Sequence, residues 1–498
     1  MSNHPAHTEA GPRGAASASA RAEIVLTGGI VHVMDAANRR ATALAVGGGR
    51  ILAVGTDAEI ARWAGPGTRQ IDLGGRAVLP GINDSHLHGS WLGARWPHTL
   101  FGEPAPEGAV DGRLVSDRAE RRAAVQRAGV LLSELGITSY TEPGLGPGED
   151  DGETGSFHSE VIEVYRELAA AGELRQRVTL LALHGVLDGP SRTEAVVDGV
   201  RAHAALAGTS DPAWLAIPGV KIFGDLIPLT RQAWTERAYD DGTHGDLLVV
   251  GETLEGRAAG LAEMLRAAHR AGLQVGLHAT GDRTIGLALD AFAEAAAEPG
   301  APSVRELGHV IIHGDLATPE QVARMAKLGV WLNTQAGIAA RTGEWLAGVL
   351  GAEAAGAAWP LDRALAAGVL VLSSDAPVLD FDWRRGIADA EARILATGGA
   401  ADPAARAARL QELLRCYTAR AAEQDRAAAW KGTVEAGKVA DLVVLERDPF
   451  AVGAAGLPEV AVDLTLLDGR VVFDRSRVPA PAERSVRAAA LRRGAGAR

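Results

Sequence analysis

Two histidines, His86 and His88, close the run Leu79-Pro-Gly-Ile-Asn-Asp-Ser-His-Leu-His88 at positions i and i+2. On a β-strand, residues two apart face the same side. Two imidazoles so placed can share one divalent ion. A His-x-His pair also arises by chance in hydrophilic loops, so context must decide. Four more polar residues supply it, each late in an apolar, strand-like stretch: Lys221 in 219–225, His278 in 274–281, His313 in 307–314 and Asp375 in 369–377. Four imidazoles and one carboxylate are borderline-soft ligands that suit zinc, with iron, manganese or nickel as alternatives.

Lys221 is the misfit, because a protonated ammonium repels a metal and is costly to bury. Burial favours the neutral amine, which can add carbon dioxide and become an anionic, bidentate carbamate. The expected division puts His86, His88 and Asp375 on one metal and His278 with His313 on a second. Carbamylated Lys221 and a hydroxide would bridge them. The reaction expected is attack of a metal-bound hydroxide on a carbonyl. Asp375 would carry the proton to the leaving nitrogen or oxygen.

Such residues need a scaffold that gathers many strand ends. Strand candidates fall at 79–88, 136–143, 178–185, 219–225, 274–281, 307–314, 329–335 and 369–377, with helical stretches such as 255–271 and 318–327 between them. Eight β/α repeats predict an α/β fold, a (β/α)8 TIM barrel with its active site at the C-terminal strand ends. Short strand-like runs at 23–34, 42–46, 51–54 and 76–79 precede it, and others follow at 441–445 and 464–473. The two ends are expected to build one composite β-sandwich, residues 22–78 and 431–476, around a barrel of residues 79–430. Residues 1–21 read as a disordered lead-in and 477–498 as a tail.

A length of 498 residues suits one large barrel and a smaller module. A net charge of −12 argues against nucleic acid or an anionic membrane as partner, and no apolar run approaches a membrane span. The single cysteine, Cys416, excludes a disulfide framework and fits a cytoplasmic protein. Residues 1–21 lack the apolar segment of a secretory signal. The partner expected is a small-molecule substrate, and a homodimer is the default assembly.

Secondary candidates surround the cluster. His184 and Gln335, ending strands three and seven, could line a substrate pocket, Gln335 by bonding a substrate carbonyl. Trp91, with Trp96 and Trp234, could form an apolar wall or simply pack. Glu142 reads as an ion-pair partner, Asp282 as a loop or histidine brace, and His309 as core.

The motifs LPGINDSHLH (79–88), GITSYTEPG (136–144), GVKIFGD (219–225), VGLHATGD (275–282), HVIIHGD (309–315), SSDAPV (373–378) and KGTVEAGKVADLVVLERDPF (431–450) together resemble the metal-dependent amidohydrolase superfamily. Within it, the chain is similar to the YtcJ-like branch that includes N-substituted formamide deformylases. The resemblance spans about residues 23 to 475. It implies a (β/α)8 barrel with a composite β-sandwich, a divalent metal centre, and hydrolysis of amide-like bonds. Its metal positions fall on His86, His88, Lys221, His278, His313 and Asp375. The leading reading is cleavage of a C–N bond in a linear amide, formamide or N-acyl compound. Competing readings are a mononuclear deaminase of a heterocyclic amine, a lactone or carbamate hydrolase, and a metal-free scaffold.

Overall fold

A computed structural model describes residues 21–102, 112–203, 206 and 210–477. The lead-in and the tail expected from sequence therefore lie, apart from Arg21 and Arg477, outside the described residues.

Eight parallel strands form the central sheet, in the order β8 (Ile82–Asp84), β9 (Ile137–Leu145), β10 (Arg177–Leu183), β11 (Leu215–Phe223), β12 (Gln274–Ala279), β13 (Val310–His313), β14 (Trp331–Thr334) and β15 (Leu370–Leu372). Every strand residue except Ala216, Pro218 and Trp331 is buried. That accounts for near-continuous apolar runs rather than alternation: helices cover the outer face and side chains fill the interior. Beyond the strand ends, the seam between β15 and β8 is closed by bonds from the loops. Asp375 N–H donates to His86 O at 2.8 Å, and His88 N–H donates to Ala376 O at 2.8 Å. Ser374 N–H donates to the Asp84 carboxylate at 3.0 Å. The fold is a (β/α)8 barrel.

Two further sheets pack around a second apolar core that includes Leu26, Leu44, Ile51, Leu442 and Leu466. One sheet orders β5 (Arg50–Gly55), β4 (Ala43–Gly47), β1 (Ile24–Thr27) and β6 (Arg69–Asp72). The other orders β18 (Arg470–Asp474), β17 (Val462–Leu467), β16 (Leu442–Leu445), β7 (Ala77–Pro80), β2 (Ile30–His32) and β3 (Arg40–Ala41). Strands from both ends of the chain thus meet in one sheet, where β16 pairs antiparallel with β7.

One expectation needs correction. Residues 79–88 do not form one strand. Leu79 and Pro80 belong to β7 of the sandwich, and the barrel strand begins only at Ile82. Between them, Gly81 packs so closely on strand β9 that a Cβ there would stand 2.1 Å from Thr138 Oγ1. Both histidines lie past the end of β8, so the i, i+2 strand geometry does not place them. His88 instead precedes the helix Gly89–Arg95 as its N-cap residue.

Candidate active site

Four imidazoles, one lysine and one carboxylate converge at the C-terminal end of the barrel, all buried. Strand β11 supplies Lys221, β12 His278 and β13 His313; the loops after β8 and β15 supply His86, His88 and Asp375. The ring centroids stand 5.2 Å apart for His86–His88, 5.4 Å for His86–His313 and 4.4 Å for His278–His313. Asp375 Oδ1 lies 3.0 Å from His86 Nε2 and 3.4 Å from His88 Nε2. Ligand atoms of His86, His313 and Asp375 fall within 4.8 Å of one another. That trio joins His313 to the two residues assigned to the other metal by chain position. Asp375 and His313 adopt left-handed backbone, with φ of 58° and 72°, a conformation that costs energy and concentrates at functional sites.

Burial sets the protonation states. It drives His86 down to about 3 and His313 to about 4, and holds His278 well below its ordinary value. Neutral imidazoles with free lone pairs are the ligating form. Burial also lowers the Lys221 amine to about 8. Burial opposes the charge on Asp375, yet His86 and His88 hold its carboxyl well below the usual range. His88 is the exception among the histidines. Burial disfavours its charge, but hydrogen bonds to Asp375 and Glu142 raise it to about 9.

Other residues hold these in place. Gln335 Oε1 stands 2.7 Å from His313 Nδ1, and its Nε2 donates to Ser373 Oγ at 2.8 Å. It faces a histidine of the cluster, where sequence suggested a substrate carbonyl. Trp91 packs beside His88 and Phe157, at centroid distances of 6.0 and 5.5 Å. His184 is not brought to the cluster. It lines a cavity between barrel helices with Glu160, Glu163 and Asp198. Trp96 packs on Phe381 at 4.9 Å. His309 is core, accepting from Val275 N–H at 3.0 Å. Asp282 accepts from Glu236 N–H at 2.9 Å and braces the loop after β11.

Sequence reasoning passed over three carboxylates. Buried Asp84 accepts from Ser374 N–H and His86 N–H, and burial raises it to about 7. Asp225, also raised to about 7 by burial, accepts from Thr280 N–H, Gly281 N–H, Trp234 N–H and Thr284 Oγ1. Asp84 and Asp225 lie inside quoted motifs, and an acid in an apolar run is itself a signal. Asp188, on the loop after β10, has a left-handed φ of 51°. Its carboxyl is open to solvent but ringed by protein, which raises its pKa, with Lys221 and His88 as cationic neighbours. No spacing marks it.

The amidohydrolase family profile matches residues 99–473. The chain belongs to the amidohydrolase family. The N-substituted formamide deformylase of Arthrobacter pascens is 26% identical over 554 aligned positions, covering 91% of this chain and 99% of that one. The YtcJ protein of Bacillus subtilis is 25% identical over 329 positions, covering 64% of this chain and 57% of its own. The structure of an uncharacterised metal-dependent hydrolase from Pyrococcus furiosus superposes with a TM-score of 0.65 at 22% identity, over 86% of this chain and 99% of that one. This amidohydrolase is therefore an enzyme that hydrolyses C–N bonds, in a family whose substrates are small molecules. No helix among the described residues is long and apolar enough to cross a membrane.

The donor set fits a divalent ion. Besides the trio of His86, His313 and Asp375, Nδ1 of His86 and of His278 are buried without a hydrogen-bond partner among the described residues. Unpaired buried polar atoms are rare unless something else satisfies them.

Proposed function

We propose that this enzyme hydrolyses the C–N bond of a linear amide, formamide or other N-acyl compound, at a divalent metal centre and with Asp375 as proton shuttle. The observation that carries the reading is the convergence of neutral His86, His278 and His313 with His88, Asp375 and the Lys221 amine. His86, His88, His278, His313 and Asp375 would hold the metal, zinc by ligand type. When bound, such an ion polarises the scissile carbonyl and lowers the pKa of water to about 7.

The residues divide the remaining work. Asp375 takes the proton of the attacking water on a carboxylate oxygen and passes it to the departing nitrogen. One C–O bond forms, one C–N bond breaks, and a carboxylic acid and an amine result. Lys221, as the neutral amine, adds carbon dioxide and releases one proton. The carbamate so formed is an anion in a chamber that otherwise disfavours the lysine's charge. The enclosed barrel end limits bulk water and strengthens each electrostatic contact. A cytoplasmic location agrees with a single, buried, unpaired cysteine.

A second reading, a one-metal centre with deaminase-like chemistry, draws support from the tight trio of His86, His313 and Asp375. Metal stoichiometry separates the two. Elemental analysis of protein purified without chelator, with bicarbonate present, should give about two equivalents per chain for the carbamate-bridged centre. Lys221→Ala should then lose most bound metal and all amide hydrolysis. One equivalent, with K221A fully active, would sink the carbamate reading. Hydrolysis of formamides and N-acyl amines, followed by amine release, tests the substrate class directly.

A further inference from the structure

We propose that Glu142, buttressed by Tyr165 and Tyr140, is a positioning residue that fixes the ring tautomer of His88 and presents its Nε2 atom to the metal. The inference rests on the reading of His88 as a metal ligand.

Glu142 lies within strand β9 and is wholly buried. Its Oε2 accepts from Gly89 N–H at 2.6 Å, Ser90 N–H at 3.4 Å and the Tyr165 hydroxyl at 3.1 Å. Its Oε1 stands 3.3 Å from His88 Nδ1. With Oε2 engaged by donors, a carboxylate can only accept from the imidazole, so Nδ1 carries the hydrogen. A bound metal would displace any proton on Nε2 and leave the hydrogen on Nδ1, so the lone pair would then lie on Nε2, the atom turned toward Asp375 Oδ1 at 3.4 Å. The tautomer and the direction of the lone pair follow together.

The support continues outward. The Tyr165 hydroxyl donates to Glu142, so it accepts from Tyr140, whose oxygen is 2.8 Å away. Both phenols are buried, and burial keeps each protonated, with pKa values above the ordinary range. Gly89 lets this chain close: a Cβ there would stand 2.7 Å from both tyrosine oxygens. The carboxylate also caps the first turn of the helix Gly89–Arg95, so it joins the helix start, the histidine before it and strand β9 in one network. Carboxylates on the second nitrogen of a ligating histidine orient the ring and raise its basicity, and losing one typically costs 10–100-fold in metal affinity.

Capping alone would explain the backbone bonds but not the contact with Nδ1. Glu142→Gln separates the two roles. The amide oxygen can still accept from Gly89 N–H and Tyr165, while the amide nitrogen cannot accept from Nδ1–H. Zinc affinity is measured by competition with a chromogenic chelator for the full chain and for E142Q, H88A, the double variant E142Q/H88A and Y165F. The melting point of each metal-free protein is recorded alongside.

E142Q should bind zinc about 10–100-fold more weakly, and Y165F several-fold more weakly. The double variant should match H88A, because Glu142 acts through His88. Zinc affinity of E142Q within about twofold of wild type, or losses that multiply in the double variant, would overturn the proposal. If E142Q does not fold, Y165F with Y165F/H88A forms the same cycle, with the same outcomes. Unchanged affinity in H88A overturns something different, the metal reading of His88 itself.

Discussion

Asp375 and His86 are joined twice. The Asp375 N–H donates to the His86 carbonyl at 2.8 Å, while Oδ1 of the same aspartate stands 3.0 Å from Nε2 of the same histidine. The backbone bond closes the barrel seam between its last and first strands, and the side-chain contact lies inside the site. A shift of one loop would therefore disturb both. The left-handed φ of Asp375, 58°, allows both arrangements at once, because it turns the N–H outward to the seam and leaves the carboxylate inward.

Gln335 should matter for metal binding more than for substrate choice. Its Oε1 is engaged by His313 Nδ1 at 2.7 Å and its amide by Ser373. Gln335→Leu should weaken zinc binding about 10–100-fold and leave the ranking of substrates unaltered. Chelator competition checks the first part, and kcat/KM across a panel of amides the second. A reordered panel with unchanged zinc affinity would return Gln335 to the substrate pocket.

Close packing of two helices predicts a purely structural defect. Gly93 lies where the helix Gly89–Arg95 meets the helix Arg118–Glu134, and a Cβ there would stand 1.8 Å from the Ala124 carbonyl oxygen. Backbone cannot move aside as a flexible side chain can. Gly93→Ala should cost about 1–3 kcal/mol of stability, read as a lower denaturant midpoint. An unmoved midpoint would mean that the helices can separate without loss.

Asp448 links stability to pH. It accepts from Phe450 N–H at 3.0 Å, capping the helix Pro449–Gly456, and stands 3.0 Å from His32 Nε2. Burial opposes its charge, yet the bonds from His32 and Phe450 hold its pKa below the ordinary value. A depressed carboxylate stabilises the fold above its unfolded pKa, about 3.9, and that contribution is lost as pH falls through the folded value. Asp448→Ala should cost about 1 kcal/mol at neutral pH, with the gap from wild type narrowing below about pH 4. Urea melts at both pH values test this, and a gap that does not change with pH would refute it.

The barrel was legible in the sequence because its strands are buried on both faces, which leaves apolar runs that end in polar residues. The six chemical residues stood out for the same reason. The break at Gly81 was not legible, since Leu79-Pro-Gly-Ile82 reads as one apolar run whether or not the chain changes sheets within it. Nor were the roles of Glu142 and Gln335. Each depends on a histidine brought opposite from 54 or 22 residues away, and periodicity carries no information on that pairing. A closed ring of strands sets first and last side by side, in keeping with the grouping of His86 with Asp375, whereas the approach of His313 to both is made across the barrel end, where order along the chain carries no information.

The pairing of β16 with β7 also dictates when this enzyme can be completed. Strand β7 runs directly into the segment bearing His86 and His88, and its partner β16 follows Asp375 in the chain. While the chain is being synthesised, every metal-site candidate through Asp375 leaves the ribosome before Leu442–Leu445 does. Until those four residues arrive, one edge of β7 has no neighbour, and an open strand edge invites pairing with other chains. The strand that leads into the histidine-bearing segment therefore gains its second neighbour only after every metal-site candidate has been made.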